Sequence, residues 1–145
     1  MGLVWDPELV TGNRQVDEQH VRIFQIFDDL LGDIQMRKGH EEVGRVVSSL
    51  SLYVVAHFRM EETLMDQGGY PGLEDHRSAH EALKIHVEAM VDQFNDGVLA
   101  PLTLLNFMKH WLDDHVVIHD KPMVRFLITA EVPDASVKPG CAGPA

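Results

Sequence analysis

The chain has 145 residues, of which 45% are hydrophobic and 24% charged, as expected for one globular domain. Its formal net charge of -11 at pH 7 argues against nucleic acids and anionic membrane surfaces, both of which attract basic proteins. No apolar run approaches the roughly 20 residues of a membrane-spanning helix, and the N-terminal residues lack the pattern of a secretion signal. Cys141 is the only cysteine, which excludes an internal disulfide and a zinc–cysteine cluster. We expect a cytoplasmic protein that is monomeric.

Apolar residues recur at helical spacing in four stretches that are separated by short breaks. Residues 1 to 15 show no such period and are predicted to form an N-terminal arm. The predicted helices span about residues 16 to 38, 41 to 66, 73 to 95 and 101 to 119. Gly39 is expected to end the first helix and Gly68 the second, while Gly97 fits a cap of the third. The pattern predicts an all-α fold, an up-down-up-down antiparallel four-helix bundle.

The last part of the chain is less regular. Pro101 suits the first turn of the fourth helix. Its apolar side is predicted to comprise Leu104, Phe107, Met108, Trp111, Leu112 and Ile118. Pro122 is expected to interrupt this helix, leaving a short final piece. We predict one domain over residues 1–130 and a flexible tail over residues 131–145, where Pro and Gly are frequent.

Several polar residues fall on the apolar stripes of the predicted helices. They are His20, His57, Glu61, His76, His80 and His115. Residues four apart share one face of a helix, so the second helix presents a His/Glu pair and the third a His/His pair. A buried polar group costs roughly 1–3 kcal/mol unless it is paired, and cations at the centre of the bundle would offset that cost. The pattern predicts a metal site, although a lone buried histidine such as His20 is more often a hydrogen-bonded core residue.

The remaining histidines fall into two groups. His40 lies at a predicted helix junction, and His86 and His110 lie off the apolar stripes; all three are predicted to face solvent. His119 follows His115 by four residues, so spacing alone makes these two a further ligand pair. On a regular helix Asp120 points about 140° away from His115. Spacing by itself therefore favours His119 over Asp120.

Four sequence segments resemble the hemerythrin family in its bacterial form. The first is the segment from Val16 to His20, which reads Val-Asp-Glu-Gln-His. The second is Tyr53-x-x-x-His57-Phe58-x-x-Glu61-Glu62-x-x-Met65, and the third is Tyr70-Pro71 followed by His76-x-x-x-His80. The fourth is Trp111-Leu112-x-x-His115-x-x-x-x-Asp120-Lys121. All four occur in the family's order and at its spacing, over nearly the whole predicted folded part.

The resemblance implies a four-helix bundle around two iron ions. It implies that His76, His80 and His115 bind one iron and that His20 and His57 bind the other. Glu61 and Asp120 would bridge the two ions, together with an oxo or hydroxo group. This choice of Asp120 overrules the spacing argument for His119 and requires the helix to bend or tighten near Asp120.

The implied function is reversible dioxygen binding at the iron that has only two histidines, for carriage, storage or delivery. The residues expected to line this oxygen pocket are Ile23, Phe58, Trp111, Leu112 and Val116. They offer no acid to cleave a bound ligand, so a binding protein is favoured over an enzyme. The alternatives are an oxygen or redox sensor acting on a protein partner, and a peroxidase, nitric oxide reductase or iron-handling protein.

Overall fold

The computed structural model describes residues 6–129. Three rods of the bundle are α1 (Arg14–Gln35), α2 (His40–Gln67) and α3 (Leu73–Asn95). The fourth rod is built from α4 (Pro101–His115), a π-helical turn (Val116–Asp120) and α5 (Lys121–Thr129). No strand occurs within this range, and the predicted all-α four-helix bundle is confirmed. The first five residues of the predicted arm and the whole predicted tail lie outside the described residues.

The rods form a closed ring. Helix α1 packs against α2 and α4, and α3 also packs against both. The connections between successive rods, residues 36–39, 68–72 and 96–100, are short. Short connections join antiparallel neighbours in helical bundles. The part of the predicted arm that is described begins with a short 3-10 turn, Pro7–Leu9, whose Leu9 is buried.

Three helices end in the same way, with one residue in the left-handed conformation. The φ angles are 64° at Gly69 and 76° at Gly97, where glycine carries no steric penalty. The third such residue is Arg37, with φ 55°. Helix α1 therefore ends at Gln35, and the prediction that Gly39 ends it was wrong. Gly39 instead caps the start of α2.

The fourth rod differs most from its prediction. Pro122 does not interrupt it, since the helix continues to Thr129. Pro122 is the second residue of α5, in the first turn after the π-helical turn, where a missing amide hydrogen costs little. The turn also holds one more residue than an α-helical turn. Ile118, predicted on the apolar side, is accordingly 63% exposed.

The core consists of two apolar clusters with a polar layer between them. The larger cluster fills the end of the bundle that contains Phe27, Leu50 and Phe94. The smaller one joins Val16 of α1, Leu64 of α2 and Met123 of α5 at the other end. Along every rod, the buried histidines and carboxylates lie near the boundary between the positions that contribute to these two clusters.

No helix within residues 6–129 has both the length and the apolar character needed to cross a membrane.

Candidate metal centre

The seven side chains implied as ligands by the sequence all lie in the polar layer of the core. Each is at most 3% exposed. They come from all four rods: His20 from α1, His57 and Glu61 from α2, His76 and His80 from α3, and His115 and Asp120 from the fourth. By contrast, His40, His86 and His110 face solvent, as predicted.

The donor atoms form two groups, each compact enough to hold one metal ion. One group comprises Glu61, His76, His80, His115 and Asp120. The other comprises His20, His57, Glu61 and Asp120. The two carboxylates belong to both groups, and the five histidines divide between them as three and two.

Each carboxylate presents one oxygen to each group of histidines. Glu61 Oε1 lies 3.2 Å from His80 Nε2, while Glu61 Oε2 lies 3.1 Å from His57 Nε2. Asp120 Oδ1 lies 3.0 Å from His115 Nε2, and its Oδ2 lies 3.0 Å from His20 Nε2. A carboxylate placed in this way can bridge two cations.

Distances between neighbouring donors fit octahedral coordination. His115 Nε2 is 3.0 Å from both His76 Nε2 and His80 Nε2. With metal–ligand bonds of about 2.1 Å, adjacent corners of an octahedron are about 3.0 Å apart. The three nitrogens therefore lie close enough together to bind one cation. Mixed imidazole and carboxylate donors suit iron and other first-row transition metals.

The π-helical turn decides between Asp120 and His119. It opens a wider turn after His115, so that Asp120, five positions further along the chain, lies on the same inward face. Asp120 is fully buried, whereas His119 is half-buried and stacks on the outer side of His115 with a centroid distance of 4.9 Å. The spacing argument for His119 was wrong because it assumed a regular helix. The expected bend or tightening is instead a local widening.

Two residues to which the sequence assigned no role orient the histidines from outside. His57 Nδ1 donates to Gln19 Oε1 at 2.7 Å, and His80 Nδ1 donates to Glu62 Oε2 at 2.9 Å. A proton on Nδ1 leaves the Nε2 lone pair free to face the centre. Both residues stand in the matched sequence segments, beside His20 and Glu61, but their partners lie on other helices.

The charges of the centre must be compensated if no cation is bound. Burial by itself raises the pKa of Glu61, but the nearby His57 and His20 hold the pKa well below its usual range. Burial likewise lowers the pKa of His20, but contacts with Asp120 and Glu61 outweigh it and raise the pKa to about 9. Without a metal, protonated imidazoles therefore supply the positive charge that metal ions would otherwise provide. Among the described residues, the ion-pair partners of both carboxylates are imidazoles that face the centre, which also fits a metal role.

Aromatic side chains cover the three-histidine group. Phe58 stacks on His80 with a centroid distance of 3.8 Å, and Trp111 stacks on His115 at 4.3 Å. The predicted oxygen-pocket residues share one apolar cluster: Ile23, Phe58, Leu112 and Val116 are buried in it, and Trp111 packs against it. An apolar cleft of about 250 Å³ between α2 and α3 reaches Phe58 from outside.

Together, the fold and the site define a helical-bundle protein with a buried cluster of imidazoles and carboxylates that could bind metal ions. The family model of the hemerythrin HHE cation binding domain matches residues 11–127. The chain is 34% identical to a bacteriohemerythrin of Pseudomonas paraeruginosa over 79% of this chain and 74% of that one. It is 30% identical to a bacteriohemerythrin of Methylococcus capsulatus, over 72% and 80% of the two chains.

Solved structures agree with these sequence matches. A crystal structure of a wild-type hemerythrin superposes with a TM-score of 0.79 at 28% identity, covering 86% of this chain and 97% of that one. The chain therefore belongs to the hemerythrin family.

Proposed function

We propose that this protein binds dioxygen reversibly at a di-iron centre. In the proposed centre His76, His80 and His115 hold one iron, His20 and His57 hold the other, and Glu61 and Asp120 bridge them. A pair of ferrous ions would supply the electrons that reversible dioxygen binding requires. The observation that carries the proposal is the sharing of both carboxylates between unequal groups of histidines, at 3.0–3.2 Å from nitrogens on each side.

The unequal division of histidines supports binding at one side of the centre. The group with His76, His80 and His115 offers five protein donors, whereas the group with His20 and His57 offers four. An ion with equal coordination number in the second group would have one more position for an external ligand. We therefore assign dioxygen to the ion held by His20 and His57.

The surroundings of the centre favour binding over chemical conversion. Ile23, Leu112 and Val116 are almost completely buried in one apolar cluster, so they exclude water and offer no proton donor. Enzymes that break a bound oxygen ligand need a positioned acid. We infer that the oxygen-pocket residues retain dioxygen without cleaving it.

An absorption spectrum tests this function directly. The absorption spectrum of the reduced, iron-loaded protein is recorded without oxygen, then with oxygen, and again after the oxygen is removed. Absorption bands that appear with oxygen and disappear on its removal are the expected result. Bands that form irreversibly, or a spectrum that oxygen does not change, would refute reversible binding.

The substitution His57→Ala tests the assignment of ligands. It removes one of only two imidazoles from the second group, so we expect iron to fall from two ions per chain to one and the response to oxygen to vanish. His110→Ala, which changes an exposed histidine on α4, is the control and should match the wild type. Iron content is measured by elemental analysis, and helix content by circular dichroism. A His57→Ala variant with full iron content would contradict the assignment.

One contact supports sensing as a second candidate function. Lys121, next to Asp120, donates to the backbone carbonyl oxygen of Glu8 at 2.7 Å. The N-terminal segment is thus tied to the turn that carries a proposed bridging ligand. Sensing predicts that hydrogen exchange near Glu8 changes between the reduced and oxidised iron-loaded protein, whereas simple carriage predicts no change.

A further inference from the structure

Glu62 directly follows the proposed bridging ligand Glu61, but its carboxylate contacts the outer nitrogen of His80 and the side chain of Arg77. Its Oε2 accepts a hydrogen bond from His80 Nδ1 at 2.9 Å, while Oε1 lies 3.3 Å from Arg77 Nε. Arg77 in turn contacts Glu74 through Nη1 at 3.0 Å. A chain of charged groups therefore runs from His80 at the centre to the surface of α3.

This arrangement makes the two sides of the centre chemically different. His57 donates its outer nitrogen to Gln19, which is a neutral amide, whereas His80 donates to a carboxylate. The Nδ1 atoms of His76 and His115 find no acceptor in the described part of the chain. A carboxylate acceptor draws the Nδ1 proton more strongly than an amide does, which raises the basicity of the other ring nitrogen.

We propose that Glu62 is a positioning residue that increases the electron density on the metal ion held by His80, and that Arg77 moderates this effect. This inference rests on the proposed function, because it takes His80 as a metal ligand. The carboxylate strengthens the bond from His80 Nε2 to the metal and favours its higher oxidation state. Arg77 shares the charge of Glu62 and thereby weakens this effect. The metal on the side of Gln19 receives no comparable contribution from its histidine His57.

Glu62→Gln is the most direct test, because it keeps the shape and an acceptor oxygen while removing the charge. It converts the Glu62–His80 pair into the kind of pair that Gln19 already makes with His57. Loss of a partner to a ligating histidine typically weakens metal binding by about 10–100-fold. Co²⁺ is titrated in competition with a chelator. We expect it to bind about tenfold more weakly at the site that contains His80 and with unchanged affinity at the site that contains His57.

Two further variants separate the hydrogen bond from general charge effects. Glu81→Gln removes an exposed carboxylate that lines the same surface cavity as Glu62 and His80 but has its ion pair with Lys84. It is the matched control and should leave Co²⁺ binding unchanged. Arg77→Gln should strengthen binding at the site that Glu62→Gln weakens, because the full charge of Glu62 then acts on His80.

Reduction potentials of the iron-loaded variants provide an independent measurement. Removing the charge of Glu62 should make the iron centre easier to reduce, and removing Arg77 should make it harder to reduce. Glu62→Gln and Glu81→Gln that behave alike in both measurements would overturn the inference. So would shifts of the same sign in Glu62→Gln and Arg77→Gln, because a disturbed structure rather than a tuned charge would then explain both.

The Co²⁺ titration also keeps this inference separate from oxygen binding. If Glu62→Gln lowers the Co²⁺ affinity of one site while oxygen does not change the absorption spectrum of the wild type, the role of Glu62 holds and the proposed function fails. If oxygen binds reversibly but Glu62→Gln equals Glu81→Gln, the function holds and the role of Glu62 fails.

Discussion

At the scale of single residues, side chains at the centre each make two distinct contacts. Phe58 fills the apolar cluster, being 4% exposed, and also lies flat against His80. His80 faces the centre with Nε2 and Glu62 with Nδ1. Because each side chain is fixed on more than one side, its rotamer is determined before any metal arrives. Such a site loses little entropy when it binds its ions.

The packing task of Phe58 can be tested by truncation. Phe58→Ala leaves a cavity in the core and should lower the free energy of unfolding by about 3–5 kcal/mol. Urea denaturation of the metal-free protein measures this loss. Phe107→Ala is the matched control, because Phe107 is half-buried and stacks on the exposed His86. We expect a clearly smaller loss there, and equal losses would show that Phe58 has no special place in the core.

At the scale of elements, the π-helical turn is the feature on which the centre depends. It adds one residue between His115 and Asp120 and keeps both side chains on the inner face. Turns of this kind are frequent at functional sites. Here the irregular turn also returns α5 to the core, so that Met123 and Leu127 can complete the smaller cluster.

A pair of substitutions tests the register of this turn. Asp120→Asn removes the charge of a proposed bridging ligand. Loss of a partner outside the ligand shell weakens metal binding by at least about tenfold, so we expect the loss of a ligand charge to weaken it more than that. His119→Ala should leave the metal content unchanged, because that ring stacks outside the centre. Chelator competition on both variants measures the difference. The reverse order of effects would restore the spacing argument for His119.

The end of α1 offers a prediction about stability. Arg37 adopts a φ of 55°, and this left-handed conformation costs a residue with a side chain roughly 1–2 kcal/mol. Arg37→Gly should therefore raise the free energy of unfolding by about 0.5–1 kcal/mol. Met36→Gly is the control at the preceding position, where φ is -83°, and it should give no gain. A destabilised Arg37→Gly variant in urea denaturation would contradict this reading of the helix end.

At the scale of the whole molecule, the polar layer divides one core into two apolar clusters. Both carboxylates in this layer are fully buried, and buried charges are expensive unless they are paired. Ligands from all four rods would make metal binding a crosslink of the entire bundle. Metal binding and folding are coupled in such proteins, because the unfolded chain has no assembled site.

Removal of the proposed iron ions should therefore lower the melting temperature of the whole bundle. A ligand at a thousand times its Kd stabilises a fold by about 4 kcal/mol, which corresponds to roughly 8–16 °C in a domain of this size. Differential scanning calorimetry with and without a chelator measures the shift. The double variant Glu61→Gln/Asp120→Asn is the control, and its melting temperature should not respond to the chelator. An equal response in both proteins would show that the chelator acts elsewhere.

The sequence by itself determined the number of rods, their antiparallel order and the inward position of five histidines. These follow from local periodicity and short connections, which residues near one another in the chain decide. The family resemblance already favoured Asp120 over His119, but only the tertiary structure showed how Asp120 reaches the core and that Glu62 meets His80. The position of Asp120 depends on the π-helical turn, and the contact of Glu62 with His80 depends on how α2 and α3 are aligned. A regular helical period carries no information about either, because it describes one helix at a time.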